Sequence, residues 1–271
     1  MSDKNASQVK VGKELYGYQK DALHEIFNRF ETAPQDYHLL YQLPTGGGKT
    51  VIFSEIVRRY IETFKKKVLV LTHRIELSKQ TSKMLDEFGV DNKIINSTAR
   101  LDDQDEYSCF VAMVETLKNR LTDEKLDISD IGLVIVDEAH YNSFTKIFKF
   151  FDDAFILGVT ATPLSSNIKL PMYENYQELY VGEPIHHLIE SGYLAQANMY
   201  SYNVGLTSLE VGANGDYTVK SSEDLYMNTD MLSKLVSAYE ETAKGKKTLI
   251  FNNGINTSIQ VFHAFKKAGY P

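Results

Sequence analysis

Short, nearly unbroken apolar runs punctuate the chain at residues 38–41, 68–72, 93–95, 108–114, 131–136 and 155–159. Between them apolar side chains return every three or four positions: Leu23, Ile26, Phe27 and Phe30 within 15–30, then Phe53, Ile56, Val57, Tyr60, Ile61 and Phe64 within 51–64. Leu77, Thr81, Met84, Leu85 and Phe88 repeat the pattern in 73–88, and residues 115–121 form a shorter stretch of the same kind. Runs of this length predict strands buried on both faces, and the longer periodicity predicts helices that bury one side. Their alternation predicts an α/β fold, a parallel sheet with helices on both faces.

Farther along the rhythm changes. Residues 199–204 and 217–220 read as strands around Gly212-Ala213-Asn214-Gly215, whose Asn-Gly pair favours a tight hairpin turn. Residues 230–243 read as a helix with Leu232, Leu235, Val236 and Tyr239 inward. Polar residues 1–13 read as a loose tail, and Asp102-Asp103-Gln104-Asp105-Glu106 as a solvated connection.

Composition narrows the class. With 43% hydrophobic and 24% charged residues, the 271-residue chain can bury a sizeable core. A net charge of −7 argues against a surface coated in basic residues, so any nucleic-acid contact must be local. The one cysteine, Cys109, can make neither an internal disulfide nor a metal cluster and is expected inside a strand. Residues 1–10 carry no signal-peptide pattern and no apolar run has membrane-spanning length, so a cytoplasmic protein without a membrane partner is expected.

The chemistry concentrates at strand ends. Gln42-Leu43-Pro44-Thr45-Gly46-Gly47-Gly48-Lys49-Thr50 joins the run at 38–41 to the helix at 51–64. Three glycines before a lysine suit a backbone that wraps an anion. Successive N–H groups and a helix N-terminus would face phosphate oxygens, Lys49 would reach the β and γ phosphates, and Thr50 would hold Mg²⁺. The strict P-loop pattern asks for glycine where Leu43 stands, and a helix-capping glycine loop is the alternative. Upstream, the Gln19 amide offers a donor and an acceptor that fit the N6/N7 edge of adenine; otherwise it is a solvent-facing helix residue.

Thr72, His73 and Arg74 close the run at 68–72, where open α/β sheets bind ligands, and are candidates for the phosphates of a second ligand or else a solvated strand end. Thr116 occupies a similar junction. The most apolar run ends in Asp137-Glu138-Ala139-His140. An acid there is expensive without a cation, and Mg²⁺ shared with Thr50 would supply one for Asp137, leaving Glu138 to orient or deprotonate a water. Thr160-Ala161-Thr162-Pro163 is either a turn or a relay that senses the acidic pair.

Together Leu43-Pro-Thr-Gly-Gly-Gly-Lys-Thr50, Asp137-Glu-Ala-His140 and Gly158-Val-Thr-Ala-Thr-Pro163 resemble motifs I, II and III of superfamily two helicases and translocases, with Leu43 typical of the restriction-enzyme-motor-like branch. Residues 15–22 resemble the adenine-reading Q motif, with Gln19 as its glutamine and Tyr16 where relatives often carry arginine. Thr72-His73-Arg74 resembles motif Ia, and Thr116 falls where a further strand-contacting threonine is expected. Residues 183–194 resemble the exit from a first motor domain, and residues 247–252 and 255–268 the first strand and helix of a second.

The resemblance implies a RecA-like ATP-binding domain at 14–195, then a linker hairpin and an incomplete second RecA-like domain at 196–271, lacking motifs V and VI and their arginine fingers. It implies an ATP- and Mg²⁺-dependent motor, with Lys49, Asp137 and Glu138 catalytic. Pro44, Thr45, Gly46, Gly47, Gly48, Lys49, Thr50 and Gln19 would hold the nucleotide. His140, Thr160 and Thr162 would couple, while Thr72, His73, Arg74 and Thr116 would touch a nucleic-acid strand, DNA rather than RNA. Turnover is expected to be weak in this chain. A nucleotide-gated binding module, or a motor subunit of a restriction or repair complex with protein partners, is the alternative.

Overall fold

Strands that are apolar on both faces need neighbours on both edges and helices above and below. The computed structural model, which describes residues 13–34, 36–98, 104–122, 130–141, 144–165, 169–213 and 215–271, shows how the chain meets that need. The strands are β1 (His38–Gln42), β2 (Lys67–Thr72), β3 (Asn92–Ile95), β4 (Cys109–Met113), β5 (Ile131–Asp137), β6 (Phe155–Thr160) and β7 (Glu178–Val181). They form one sheet in the order β3-β4-β2-β5-β6-β1-β7, with every neighbouring pair parallel. Helices α1 (Gly17–Thr32), α2 (Lys49–Phe64), α3 (Ile75–Glu87), α4 (Val114–Thr122), α5 (Thr145–Phe148) and α6 (Ile185–Glu190) accompany it.

Side chains alternate along each strand between two apolar clusters, as the pleat requires. Leu39, Tyr41, Val68, Val70, Leu133 and Ile135 join Ile26 of α1 and Phe53 of α2. Leu40, Leu69, Leu71, Val134 and Val136 face the other way and join Leu117 of α4 and Ile147 of α5. Cys109 is buried in β4, as its apolar neighbours predict.

One strand is absent from the pattern analysis. β7 is Glu178 followed by a run of only three apolar residues, Leu179-Tyr180-Val181, of which Leu179 and Val181 are exposed, and the run is not among those read as strands. An ion pair anchors it instead. Arg29 on α1 donates through Nε and Nη2 to the Glu178 carboxylate at 2.8–3.2 Å, and the Tyr37 hydroxyl donates to Glu178 Oε2 at 3.1 Å.

The chain divides into two units, Met1–Gln196 and Ala197–Pro271. In the second, α7 (Val219–Tyr226), α8 (Thr229–Thr242) and α9 (Ile255–Lys267) are present, with Tyr239 of α8 against Phe265 of α9 at 5.3 Å between ring centres. Its expected strands are not. Residues 199–204 form no strand, and 217–220 contributes a single antiparallel bridge, Tyr217 to Val211, before α7 begins. Residues 247–252 form none either, leaving Leu249 and Phe251 84% and 91% exposed. An apolar run becomes a strand only where another backbone accepts its N–H and C=O groups, and among the described residues none does. Asn214 of the expected turn, residues 1–12 of the expected tail, and Asp102 and Asp103 of the acidic connection lie outside the described residues. The remainder of that connection, Gln104–Glu106, is one turn of 3₁₀ helix.

The Arg29–Glu178 pair generates a stability test. Hydrogen bonds from Arg29 hold the Glu178 carboxyl below the usual glutamate range, against the opposing pull of burial. A carboxylate with a depressed folded pKa contributes fully above its unfolded value and loses that contribution as pH falls through the lower one. Glu178→Ala is expected to cost about 1–3 kcal/mol at pH 7, read as a lowered urea midpoint. The gap to wild type closes as pH is taken below the ordinary glutamate value of about 4.3. A gap that does not change with pH would remove the ion pair from the account.

Candidate nucleotide site

β1 delivers the chain at the carboxyl edge of the sheet, and a loop must turn there before α2 can start. Gly46 and Gly48 make the turn with φ of 85° and 84°, left-handed values that side chains resist. Gly48 is also the residue before the first turn of α2, so Lys49 and Thr50 begin that helix with N–H groups that have no intrahelical acceptor. The loop is held from outside. Gly47 is buried, and its carbonyl accepts from the Tyr18 hydroxyl at 2.8 Å and from Gln19 Nε2 at 3.2 Å.

Gln19 is itself buried, not solvent-facing. Its Oε1 accepts from the Tyr16 N–H at 2.9 Å, and its Nε2 lies 3.4 Å from the Tyr18 hydroxyl oxygen. The amide therefore fastens α1 to the phosphate loop. Lys49 Nζ makes one long bond, 3.4 Å, to the Leu43 carbonyl. A cavity of about 430 Å³ opens beside Pro44 and Thr45, bounded by Ala161 and by Val181 and Gly182 after β7.

The second strand end carries the acids. Asp137, the last residue of β5, is only 8% exposed, and its Oδ1 accepts from the Glu138 N–H at 3.0 Å. Burial, and then the neighbouring Glu138 charge, push its carboxyl up to about 6; Lys49 and the Glu138 N–H pull the other way. Glu138 follows at φ 53°, left-handed for a residue with a side chain, and the turn closes with Ala139 N–H to the Val159 carbonyl and Tyr141 N–H to the Glu138 carbonyl.

That turn brings the expected coupling residues together. His140 Nδ1 lies 3.0 Å from Thr160 Oγ1 and 3.4 Å from Glu138 Oε2. The Thr160 hydroxyl donates to the Thr162 carbonyl at 3.2 Å and accepts from the Thr162 N–H at 3.1 Å. With that hydroxyl committed to the Thr162 carbonyl, His140 Nδ1 is placed to donate to Thr160, with the Glu138 carboxylate beside it. The Thr-Ala-Thr turn and the acidic turn thus form one hydrogen-bonded assembly.

The residues assigned to a second ligand are less uniform. Thr72 is fully buried, its hydroxyl paired with Ser78 Oγ at 2.6 Å and directed at the Arg74 carbonyl at 3.3 Å, so it shapes the start of α3. Arg74 is exposed, His73 half-buried, and Thr116 half-buried in the first turn of α4. Since Thr72 pairs with Met113 in the sheet, the two strand ends that carry Arg74 and Thr116 are neighbours.

Tyr18 and Tyr193 have no role in the sequence reading, and Tyr16 enters it only where relatives often carry arginine. Tyr16, Tyr18 and Tyr193 stand with ring centres 4.6–6.1 Å apart, and Leu194 lies so near Gly46 that a Cβ there would sit 2.8 Å from it. Tyr16 and Tyr18 flank Gln19 and so carry a local signal. Tyr193 does not, because only the tertiary fold returns the segment after α6 to the phosphate loop.

Among the described residues no group of three or more metal-ligating side chains converges, and no helix is long and apolar enough to cross a membrane. A hard cation that takes most of its oxygens from phosphate and water needs no such cluster, and a buried carboxylate near a hydroxyl-bearing helix start suits it.

The geometry agrees with comparisons to known proteins. The "51.5 kDa protein" of a Lactococcus phage (isolate 7-9) is 29% identical over 234 residues, covering 85% of this chain and 47% of its own length. A "Putative ATP-dependent helicase IRC3" from Saccharomyces cerevisiae is 26% identical over 291 residues, covering 92% of this chain and 42% of its own. The chain therefore spans about half the length of these relatives. The helicase domain of Hef from Pyrococcus furiosus shares the fold, with a TM-score of 0.52 at 18% identity, over 92% of this chain and 52% of that one. Residues 12–165, more than half of the sequence, match the family described as "Type III restriction enzyme, res subunit", and the chain belongs to that family.

Proposed function

We propose that this chain is the ATP-binding part of a nucleic-acid motor, a helicase or translocase that couples ATP hydrolysis to movement on DNA. The observation that carries the reading is the pairing of a phosphate-loop lysine with a buried strand-end acid, near enough that Lys49 opposes the rise in the Asp137 pKa. A polyphosphate and a hard cation fit between such groups. The Asp137 carboxylate and Thr50 hydroxyl would hold Mg²⁺, which when bound neutralises charge on the phosphates.

The chain's own groups do the rest. Backbone N–H groups of the loop after Pro44 and Thr45, at Gly46 and Gly48, would bind phosphate oxygens together with Lys49, and the Gly47 N–H would join them by exchanging its 3.0 Å bond to the Pro44 carbonyl. Glu138 orients a water in line and accepts its proton. His140 Nδ1, placed to donate to Thr160, has the Glu138 carboxylate beside it, so a change in that carboxylate reaches Thr160 and Thr162. Gln19 would meet adenine by exchanging its 3.4 Å contact with Tyr18 for the base. Tyr16 and Tyr193, both exposed, offer ring faces beside it.

Arg74, with His73 and Thr116, would track the phosphates of a single strand, and Thr72 would support them through the turn. DNA is favoured because the chain's family is named for a restriction enzyme. The whole protein would act as a motor within a larger restriction or repair assembly, in the cytoplasm where ATP is available. This chain alone would hydrolyse slowly. Among the described residues the cation acting on Asp137 is Lys49, and a second cation at such a site contributes about 10³ to 10⁵ in rate.

Calorimetric titration with Mg–ATP should show binding by the 271-residue chain, loss of at least about tenfold in affinity for Lys49→Ala, and retained binding by Glu138→Gln. Turnover, with or without single-stranded DNA or RNA, should fall about 10²-fold or more in Glu138→Gln. Absence of ATP binding by the unaltered chain would sink the reading.

A second measurement concerns the bare site. Because the Asp137 pKa is raised from 3.8 to about 6, its contribution to stability is full below 3.8 and is lost as pH rises through 6. In EDTA at pH 8, Asp137→Asn is expected to be more stable than wild type by about 2–3 kcal/mol, with no gain near pH 4. Mg–ATP should then stabilise wild type and not the variant. A variant less stable than wild type at pH 8 would contradict the isolation of this carboxylate.

A further inference from the structure

His73 ends the β2 side of the site with an unusual environment. Its Nδ1 is buried and makes no hydrogen bond, so the ring is not held by its nitrogens. What holds it is a face. The Tyr141 ring lies 4.4 Å from the His73 ring, tilted by 33°, and its centre is 4.3 Å from that of His140, tilted by 37°. Tyr141, 37% exposed, thus touches one histidine from the acidic turn and another from the β2–α3 junction.

We propose that Tyr141 is a positioning residue: in ring contact with both His140 and His73, it links the nucleotide end of β5 to the exposed Arg74 end of β2. The proposal rests on the ATP reading above and adds a route that leaves the Asp137–Glu138 site in the direction opposite to Thr160. β2 and β5 are paired up to Leu71 and Val136, so ladder hydrogen bonds join the strands only to that point. Beyond it the rings bridge the two chain ends.

The left-handed Glu138 makes the arrangement possible. Its turn bonds Tyr141 N–H back to the Glu138 carbonyl at 3.1 Å, so the tyrosine backbone moves with the glutamate. His140 is fixed on its other side by Thr160 and Glu138. A shift of the Glu138 turn when a γ-phosphate arrives therefore displaces the Tyr141 ring, and His73, with no hydrogen bond of its own to resist, follows it. Arg74, the next residue, moves with the same backbone.

The test uses the histidine ring-proton NMR spectrum of the full 271-residue chain, which has seven histidines, with His73 and His140 assigned by single substitution. A non-hydrolysable ATP analogue with Mg²⁺ is titrated into wild type, Tyr141→Phe and Tyr141→Ala, with Tyr141→Leu added should the alanine variant lose its circular-dichroism spectrum. The analogue is expected to bind all variants within about twofold and to shift the His73 resonances in wild type and Tyr141→Phe. In Tyr141→Ala or Tyr141→Leu that response should fall to less than about a third while the His140 response persists. Affinity for a fluorescent single-stranded oligonucleotide, with and without the analogue, should show a coupling factor in the usual range of about 5–150 for wild type and near one for the alanine or leucine variant. An unchanged His73 response in the non-aromatic variants overturns the proposal while the ATP reading stands. Failure of wild type to bind the analogue overturns both.

Discussion

The rest of the first unit is arranged around a carboxylate in the wrong solvent. Asp137 ends the most apolar strand of the sheet, almost wholly out of water, with a backbone N–H as its bonded partner and Glu138 adding like charge. Left alone, such a group takes up a proton. Ionised, it requires positive charge, and the fold aims Lys49 and the start of α2 at that requirement. The glycines of the phosphate loop, the Tyr18 and Gln19 bonds that hold Gly47, and the tight contact of Leu194 with Gly46 fix the cationic side. The unfavourable energy of the bare site is thus a feature of binding: the ligand set that relieves it is stabilised by the same amount.

Glu138 shows a second stored cost. A left-handed backbone at a non-glycine residue carries about 1–3 kcal/mol of strain, and here it is held by the Ala139 and Tyr141 turn bonds. In return three side chains leave the strand end in three directions: Glu138 toward the site, His140 toward Thr160, and Tyr141 toward His73. An extended continuation of β5 would have sent alternate residues to opposite faces of the sheet and brought no such group together.

Much of this was legible in the order of residues. Six strands announce themselves because a strand buried on both faces has to be apolar throughout, and the helices because each buries one side. The phosphate loop and the acid pair were legible because their chemistry needs particular residues at particular spacing. β7 was not, since its run, Leu179-Tyr180-Val181, is short and its place at the sheet edge depends on the ties of Arg29 and Tyr37 to Glu178. The apolar stretch 247–252 misled for the converse reason: sequence reports the capacity to pair but not the presence of a partner. Gln19 stands out in the sequence as a candidate, but its burial and its grip on Gly47 depend on a loop downstream, just as the approach of Tyr193 to Tyr16 depends on the whole intervening fold.

The position of β1 has a consequence for how this protein comes into being. The strand that carries the phosphate loop is made well before its partners, β6, reached at residues 156–160, and β7, reached at 178–181. At ordinary rates of synthesis, on the order of ten seconds pass between the emergence of Leu39, Leu40 and Tyr41 and that of the strands that flank them. During that interval a strand whose three central residues are buried in the finished sheet has both edges open. The nucleotide site is therefore a late product of translation, and until β7 leaves the ribosome the nascent chain presents a β-edge that a chaperone, or another nascent chain, can claim first.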